Sequence, residues 1–133
     1  MKIEHVAIWT FQLEELKDFY CTWFAGVANE KYHNNKTGFQ SYFLKFKSGS
    51  RLELMQMEGI TDKRIATSET QHLGLIHMAF GVDTMAEVDR LAIRMEQAGF
   101  SILRGPRKTG DGYYEFETLD PDNNRLEITT LFR

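Results

Sequence analysis

The sequence is poor in residues that staple, bend or address a chain. Among 133 residues there is one cysteine, Cys21, so no disulfide can form within the chain, which suits a reducing compartment. Two prolines and ten glycines are too few for a low-complexity linker. Lys and Arg number 16 against 19 Asp and Glu, a net charge of -3. No basic excess is present to displace counterions from a phosphate backbone, so a nucleic-acid partner is not expected, nor a polybasic hold on a membrane. No apolar run reaches the roughly 18 residues of a membrane span. The start, Met1-Lys2-Ile3-Glu4-His5, places a carboxylate and an imidazole where a secretory apolar region would begin, so the expected location is cytoplasmic. Gly-rich phosphate loops, paired CxxC motifs and a GxSxG elbow are also missing.

What is present reads as one globular domain: 42% hydrophobic, 13% aromatic and 26% charged residues. Ile3 to Trp9 reads as a strand interrupted by one imidazole, His5. Leu13, Leu16, Phe19, Tyr20, Trp23 and Phe24 recur at helical spacing and predict a helix over 13–24. Alternation predicts strands over 39–47 and 51–57, joined by the Ser48-Gly49-Ser50 turn. A polar stretch, Thr61 to His72, reads as a connection. Then the order repeats: a strand over 75–82, a helix over 85–98 ended by Gly99, a short strand over 101–103, and strands over 112–119 and 125–131 around the Asp120–Asn124 turn.

The repeat has a measurable offset. His5 and His77 are 72 residues apart, as are Leu13 and Met85; Glu53 and Glu127 are 74 apart. Two tandem βαβββ modules with a small insertion in the second explain these offsets. The expectation is an α+β fold in which the modules, about 1–58 and 74–133, curl into a half-barrel around a connection over about 59–73.

His5, Glu53, His77 and Glu127 each stand among apolar neighbours, as in Leu52-Glu53-Leu54 and Ile76-His77-Met78. Neighbours on a strand point to opposite faces, so these four polar groups share the face opposite the apolar one. If that face is concave, two imidazoles and two carboxylates converge. Bare carboxylates would repel there, and burial would raise their pKa; a divalent cation reverses both effects. Nitrogen and oxygen donors of this kind suit Zn, Ni, Co, Mn or Fe, and four protein donors on an octahedral ion leave two positions for substrate oxygens. Taken one at a time, a strand Glu is more often solvated and a strand His more often a core residue.

In this order, on the first and last strands of two modules, the four residues resemble the ligand set of the vicinal oxygen chelate superfamily, in its glyoxalase and bleomycin-resistance branch. The resemblance runs from Met1 to Thr130 and is carried by Ile3-Glu4-His5-Val6-Ala7, Leu16-Lys17-Asp18-Phe19-Tyr20, Arg51-Leu52-Glu53-Leu54-Met55, Ile76-His77-Met78-Ala79-Phe80, Gly105-Pro106-Arg107 and Asp120-Pro121-Asp122-Asn123-Asn124-Arg125-Leu126-Glu127. It implies a homodimer with one divalent ion per site, Zn or Ni first, and a lyase or isomerase that transfers a proton next to a carbonyl through an enediolate-like intermediate. Glu127 is then the base and Glu53 its partner. In glyoxalase I-like sequences an Arg that helps to hold glutathione follows the first His by four residues. Here that position is Trp9, which turns the expectation away from the glutathione hemithioacetal. An Fe(II) extradiol-type dioxygenase, a thiol transferase inactivating an antibiotic, and a drug-sequestering binding protein are the competing readings.

Trp9, Phe39 and Tyr42, with Phe11, either line an apolar substrate pocket or pack the strand–helix core. Tyr113 follows Gly110-Asp111-Gly112, a loop able to close over a small-molecule substrate or simply to turn a hairpin. Arg104, Arg107 and Lys108 read as a solvated rim, His33 and His72 as surface residues, and Cys21 as packing.

Overall fold

A computed structural model describes residues 1–61 and 73–132; residues 62–72 of the expected connection over about 59–73, His72 among them, lie outside the described residues. The chain forms two compact units, Met1–Arg64 and Ile65–Arg133. The second is a βαβββ arrangement and the first carries one short strand more; each has an open sheet and one helix, so the fold is α+β as expected. Among the described residues no helix is long and apolar enough to cross a membrane.

The first unit contains β1 (His5–Trp9), α1 (Leu13–Phe24), β2 (Val27–Ala28), β3 (Tyr32–His33), β4 (Gln40–Lys45) and β5 (Arg51–Gln56). Its sheet runs β1-β5-β4-β2, with β3 also paired to β4. Helix α1 starts without a side-chain cap from Gln12, but Gln56 Oε1 accepts from the Leu13 N–H at 3.1 Å, tying the helix to the end of β5. Glu14 and Glu15 in its first turn complement the helix dipole. It ends at Ala25, which takes a left-handed φ of 55°. Leu13, Leu16, Phe19 and Tyr20 form its buried stripe, which packs on β4 and β5 with Tyr42, Leu44, Leu52 and Leu54.

The second unit contains β6 (His77–Gly81), α2 (Met85–Gln97), β7 (Ile102–Lys108), β8 (Tyr113–Leu119) and β9 (Arg125–Leu131), with sheet order β6-β9-β8-β7. Thr84 and Glu87 close a capping box at the start of α2. Val88, Ala92 and Met95 bury one face of that helix, and Phe116, Leu126 and Ile128 bury the sheet. The Asp120 carboxylate accepts from the backbone N–H groups of Asp122 and Asn124 and from the Asn124 amide. That turn sets the β8–β9 register and so the position of Glu127.

Most expected elements are present, with two differences. Strand β7 extends to Lys108 rather than ending at Leu103, so Arg104, Arg107 and Lys108 lie on an edge strand. Its pairing with β8 slips twice, around Arg104, and the Gly105–Pro106 bond is cis. A side chain at Gly105 would place its Cβ 2.4 Å from the Glu115 carbonyl oxygen, and the residue has φ of 77°, so only glycine fits there. The short strands β2 and β3 fall where no strand was expected. Both are held by pairing to β4, not by any pattern of their own.

Leu16 is fully buried beneath the sheet of the first unit. Leu16→Ala is expected to cost about 2–5 kcal/mol in urea unfolding. A loss under about 1 kcal/mol would contradict this packing.

Candidate functional site

In each unit the first strand pairs parallel with the last. Ala7 lies opposite Glu53 in the first unit and Ala79 opposite Glu127 in the second. In the same registers His5 lies opposite Arg51 and His77 opposite Arg125. Residues two apart share a face, so each unit brings one His and one Glu to the sheet face away from its helix.

The pairing is direct in both. His5 Nε2 lies 3.7 Å from Glu53 Oε2, and His77 Nε2 contacts Glu127 Oε2. The imidazoles are the more accessible partners, with side chains 41% and 38% exposed; Glu53 and Glu127 are recessed at 15% and 13%. A recessed carboxylate beneath an accessible imidazole can be reached by a small ligand yet stays partly desolvated.

The surroundings of the two pairs differ. His5 Nδ1 bonds the Glu4 carboxylate, which is also held by the Arg51 guanidinium. The His5 hydrogen bond, helped by Arg51, holds the Glu4 carboxyl below its usual range against the opposing effect of desolvation. Arg51 lies over the Phe43 ring at 4.2 Å, and His5 meets that ring edge-on at 5.4 Å. A carboxylate on one ring nitrogen fixes the orientation of the imidazole, as it does for many metal-ligating histidines.

In the second unit the position of Phe43 is taken by Glu117, opposite Glu127, and that of Ser41 by Glu115, opposite Thr129. Glu117 is neutralised by a buried 2.8 Å ion pair with Arg125. Burial first, then the charge of Glu115 and a hydrogen bond to it, with lesser contributions from the charges of Glu117 and Asp111, push Glu127 up to about 7. A carboxyl at that value takes and returns protons near neutrality. On the same face the buried Thr129 Oγ1 has no hydrogen-bond partner among the described residues, a polar atom that a ligand would satisfy.

The expected site residues therefore separate as follows. His5 with Glu53, and His77 with Glu127, are brought together within their units. Among the described residues no three His, Cys, Asp or Glu side chains form a metal-holding group; each unit holds one His–Glu pair. Imidazole nitrogen and carboxylate oxygen, with His5 backed by Glu4, are donor types that fit a divalent cation. Trp9 and Phe39 meet edge-on at 6.0 Å, with Trp9 on the His5 side of its sheet. Tyr113, on β8, is in alternation with Glu115 and Glu117. Tyr42 does not belong to this group. It alternates with Phe43 and turns toward α1, where its hydroxyl donates to the Glu14 carboxylate at 2.9 Å and Lys17 lies over its ring. Burial and that carboxylate push its hydroxyl above the usual range. Phe11 is exposed just past β1, Cys21 is half-buried, and His33 is exposed on β3.

Sequence reasoning missed the supporting groups Glu4, Arg51, Glu115, Glu117 and Arg125. One signal was present: Arg51-Leu52-Glu53 and Arg125-Leu126-Glu127 repeat the same triplet.

Residues 2–128 match the sequence profile of the Glyoxalase/Bleomycin resistance protein/Dioxygenase superfamily. The chain belongs to this superfamily. Members of the glyoxalase superfamily typically bind a divalent metal and act on small molecules. A Bacillus subtilis (strain 168) protein described as uncharacterized, YqjT, is 32% identical over 59 residues, which are 42% of this chain and 46% of that protein. The match thus spans about half the length of this curated relative. A glyoxylase/bleomycin resistance protein/dioxygenase domain from Frankia sp. EAN1pec superposes with a TM-score of 0.79 at 18% identity, over 99% of this chain and 98% of that one. The trypanothione-dependent glyoxalase I of Leishmania major superposes with a TM-score of 0.74 at 21% identity, over 96% and 85%. At these identities the likeness is one of fold.

The raised Glu127 pKa has a stability consequence. The folded metal-free chain keeps this proton to about pH 7, whereas an unfolded chain releases it near 4.5. Folding then binds a proton between those values, so this group's contribution falls as pH rises through the interval and stays lost above it. Glu127→Gln is expected to raise the Tm of metal-free protein at pH 8 but not at pH 4. An equal effect at both pH values would contradict the assignment.

Proposed function

We propose that the protein is a metal-dependent lyase or isomerase of the glyoxalase type, moving a proton at a carbon next to a carbonyl. The observation that carries this reading is the placing of Glu127: a recessed carboxyl touching the accessible His77 imidazole. His5, Glu53, His77 and Glu127 are the residues that would hold the divalent ion. When bound, that ion supplies positive charge to stabilise the negative charge that develops on a carbonyl oxygen as the neighbouring C–H is broken.

The chain's own groups would then divide the work. Glu127 accepts the carbon-bound proton and returns it to the product. In the metal-free chain burial, then the charge of Glu115, raise its proton affinity. Glu53, facing His5, is the partner carboxylate. Glu4 and Arg51 orient His5. Thr129 Oγ1 offers a hydrogen bond to a substrate oxygen. Trp9 stands where a glutathione-binding Arg is expected in glyoxalase I-like sequences, so glutathione hemithioacetals are not the preferred substrates. The protein acts as a cytoplasmic homodimer in this reading.

The test follows exchange of the C–H beside the carbonyl of α-hydroxyketones in deuterated buffer by proton NMR, with zinc- or nickel-loaded protein. Glu127→Gln is expected to slow exchange by about 10²–10⁴-fold, the usual contribution of a positioned acid–base group. Glu53→Gln is expected to lower turnover as well. A sequestering protein would instead show no exchange and would keep its ligand affinity in both variants.

A further inference from the structure

The sheet face of the first unit continues past the His5–Glu53 pair into an aromatic surface. Along β1 the face carries His5, Ala7 and Trp9; along β5 it carries Arg51, Glu53 and Met55. Phe43 and Ser41 of β4 lie opposite Glu53 and Met55, and Tyr32 of β3 lies opposite Ser41. Phe39, just before β4, stands between Trp9 and Tyr32, 6.0 Å from each ring centre. Trp9 and Phe39 meet edge-to-face at 87°, and Trp9 and Tyr32 remain 41% and 53% exposed. Edge-to-face packing engages the edge of one ring and one face of the other, so the remaining ring faces are open to a further flat group.

Two features fix the chemistry of what lies there. First, the polarity is one-sided. Between Glu53 and the aromatic group the face presents only Ala7, Met55 and Ser41. The guanidinium on this face, Arg51, lies at the opposite end and is engaged by Glu4 and Phe43. At the aromatic end the paired strands therefore present no cationic side chain on this face to an acidic arm. Second, the spacing is short. Ala7, level with Glu53, and Trp9 are two residues apart, about 7 Å along a strand. That is the reach of a two- to three-carbon linker between a reacting carbonyl and a ring.

We propose that Trp9, Phe39 and Tyr32 are specificity-determining residues that select substrates with an uncharged aryl group two to three carbons from the reacting carbonyl. This assignment of substrate class rests on the function proposed above.

The test uses hydroxamates, whose two adjacent oxygens chelate a metal. On zinc-loaded protein, 3-phenylpropanohydroxamate is expected to bind at least tenfold more tightly than hexanohydroxamate. Trp9→Leu and Phe39→Leu should each remove most of that preference without changing the affinity for acetohydroxamate. A metal-free arm separates the two readings. In a Trp23→Phe background Trp9 is the one indole left. There 3-phenylpropanol should quench Trp9 fluorescence at millimolar concentration and 1-hexanol should not. Failure of acetohydroxamate to bind, with this quenching intact, would defeat the metal reading and leave the aryl surface standing. Equal affinity for aryl and alkyl hydroxamates, or a preference that survives both substitutions, would overturn the aryl proposal. So would a fall in particle mass for Trp9→Leu in analytical ultracentrifugation, because the rings would then be serving a second copy of the chain.

Discussion

The pairing of the first strand of each unit with the last, parallel and in one particular register, governs everything else at the site. Ala7 opposite Glu53 and Ala79 opposite Glu127 set a small residue beside each carboxylate. The imidazole two residues earlier then reaches across to it. A slip of one residue would send each Glu into the helix-packed layer and each apolar neighbour outward. Leu52 and Leu54, and Leu126 and Ile128, oppose such a slip because they flank the carboxylates and are buried under the helices. The hydrophobic layer thus holds the polar one in place. A parallel pair also needs a crossover, and each helix is that crossover.

On this shared frame the units have taken different chemistry. The first surrounds its pair with an aromatic ring, a fixed Arg51–Glu4–His5 chain and neutral groups. The second surrounds its pair with carboxylates, one of them neutralised by Arg125. Burial, then Glu115 at the Ser41 position and Glu117 at the Phe43 position, move Glu127 toward neutrality in the metal-free chain. In the proposed reaction one unit orients and discriminates while the other handles the proton.

Much of this was legible in the sequence where one residue broke a clean pattern. An imidazole or carboxylate amid apolar alternation marks a strand face, and the 72- and 74-residue offsets tie the four residues together. Helix α1 and strand β9 have the expected bounds, because an amphipathic stripe and a strict alternation specify them locally. Strand β7 was legible only in part, since Gly105, Pro106 and the basic residues resemble a loop, and its edge position and slipped register are properties of the sheet. Strands β2 and β3 depend wholly on β4. Tyr42 was misplaced although its parity was readable: it alternates with Phe43, and only the face opposite α1 carries the site. The supporting Glu4, Glu115 and Arg125 look like ordinary solvated charges until the register brings them beside the pairs.

The central claim is that the two His–Glu pairs serve one metal ion. Calorimetric titration of metal-free protein with zinc tests it most directly, on the wild type, His5→Ala and His77→Ala. The account predicts one ion per chain in the wild type. It also predicts that either substitution weakens that single event by about a hundredfold or more, beyond the 10–100-fold usual for loss of an outer-sphere partner. Two ions per chain, with each variant retaining one at undiminished affinity, would show that each pair works alone and would contradict the account.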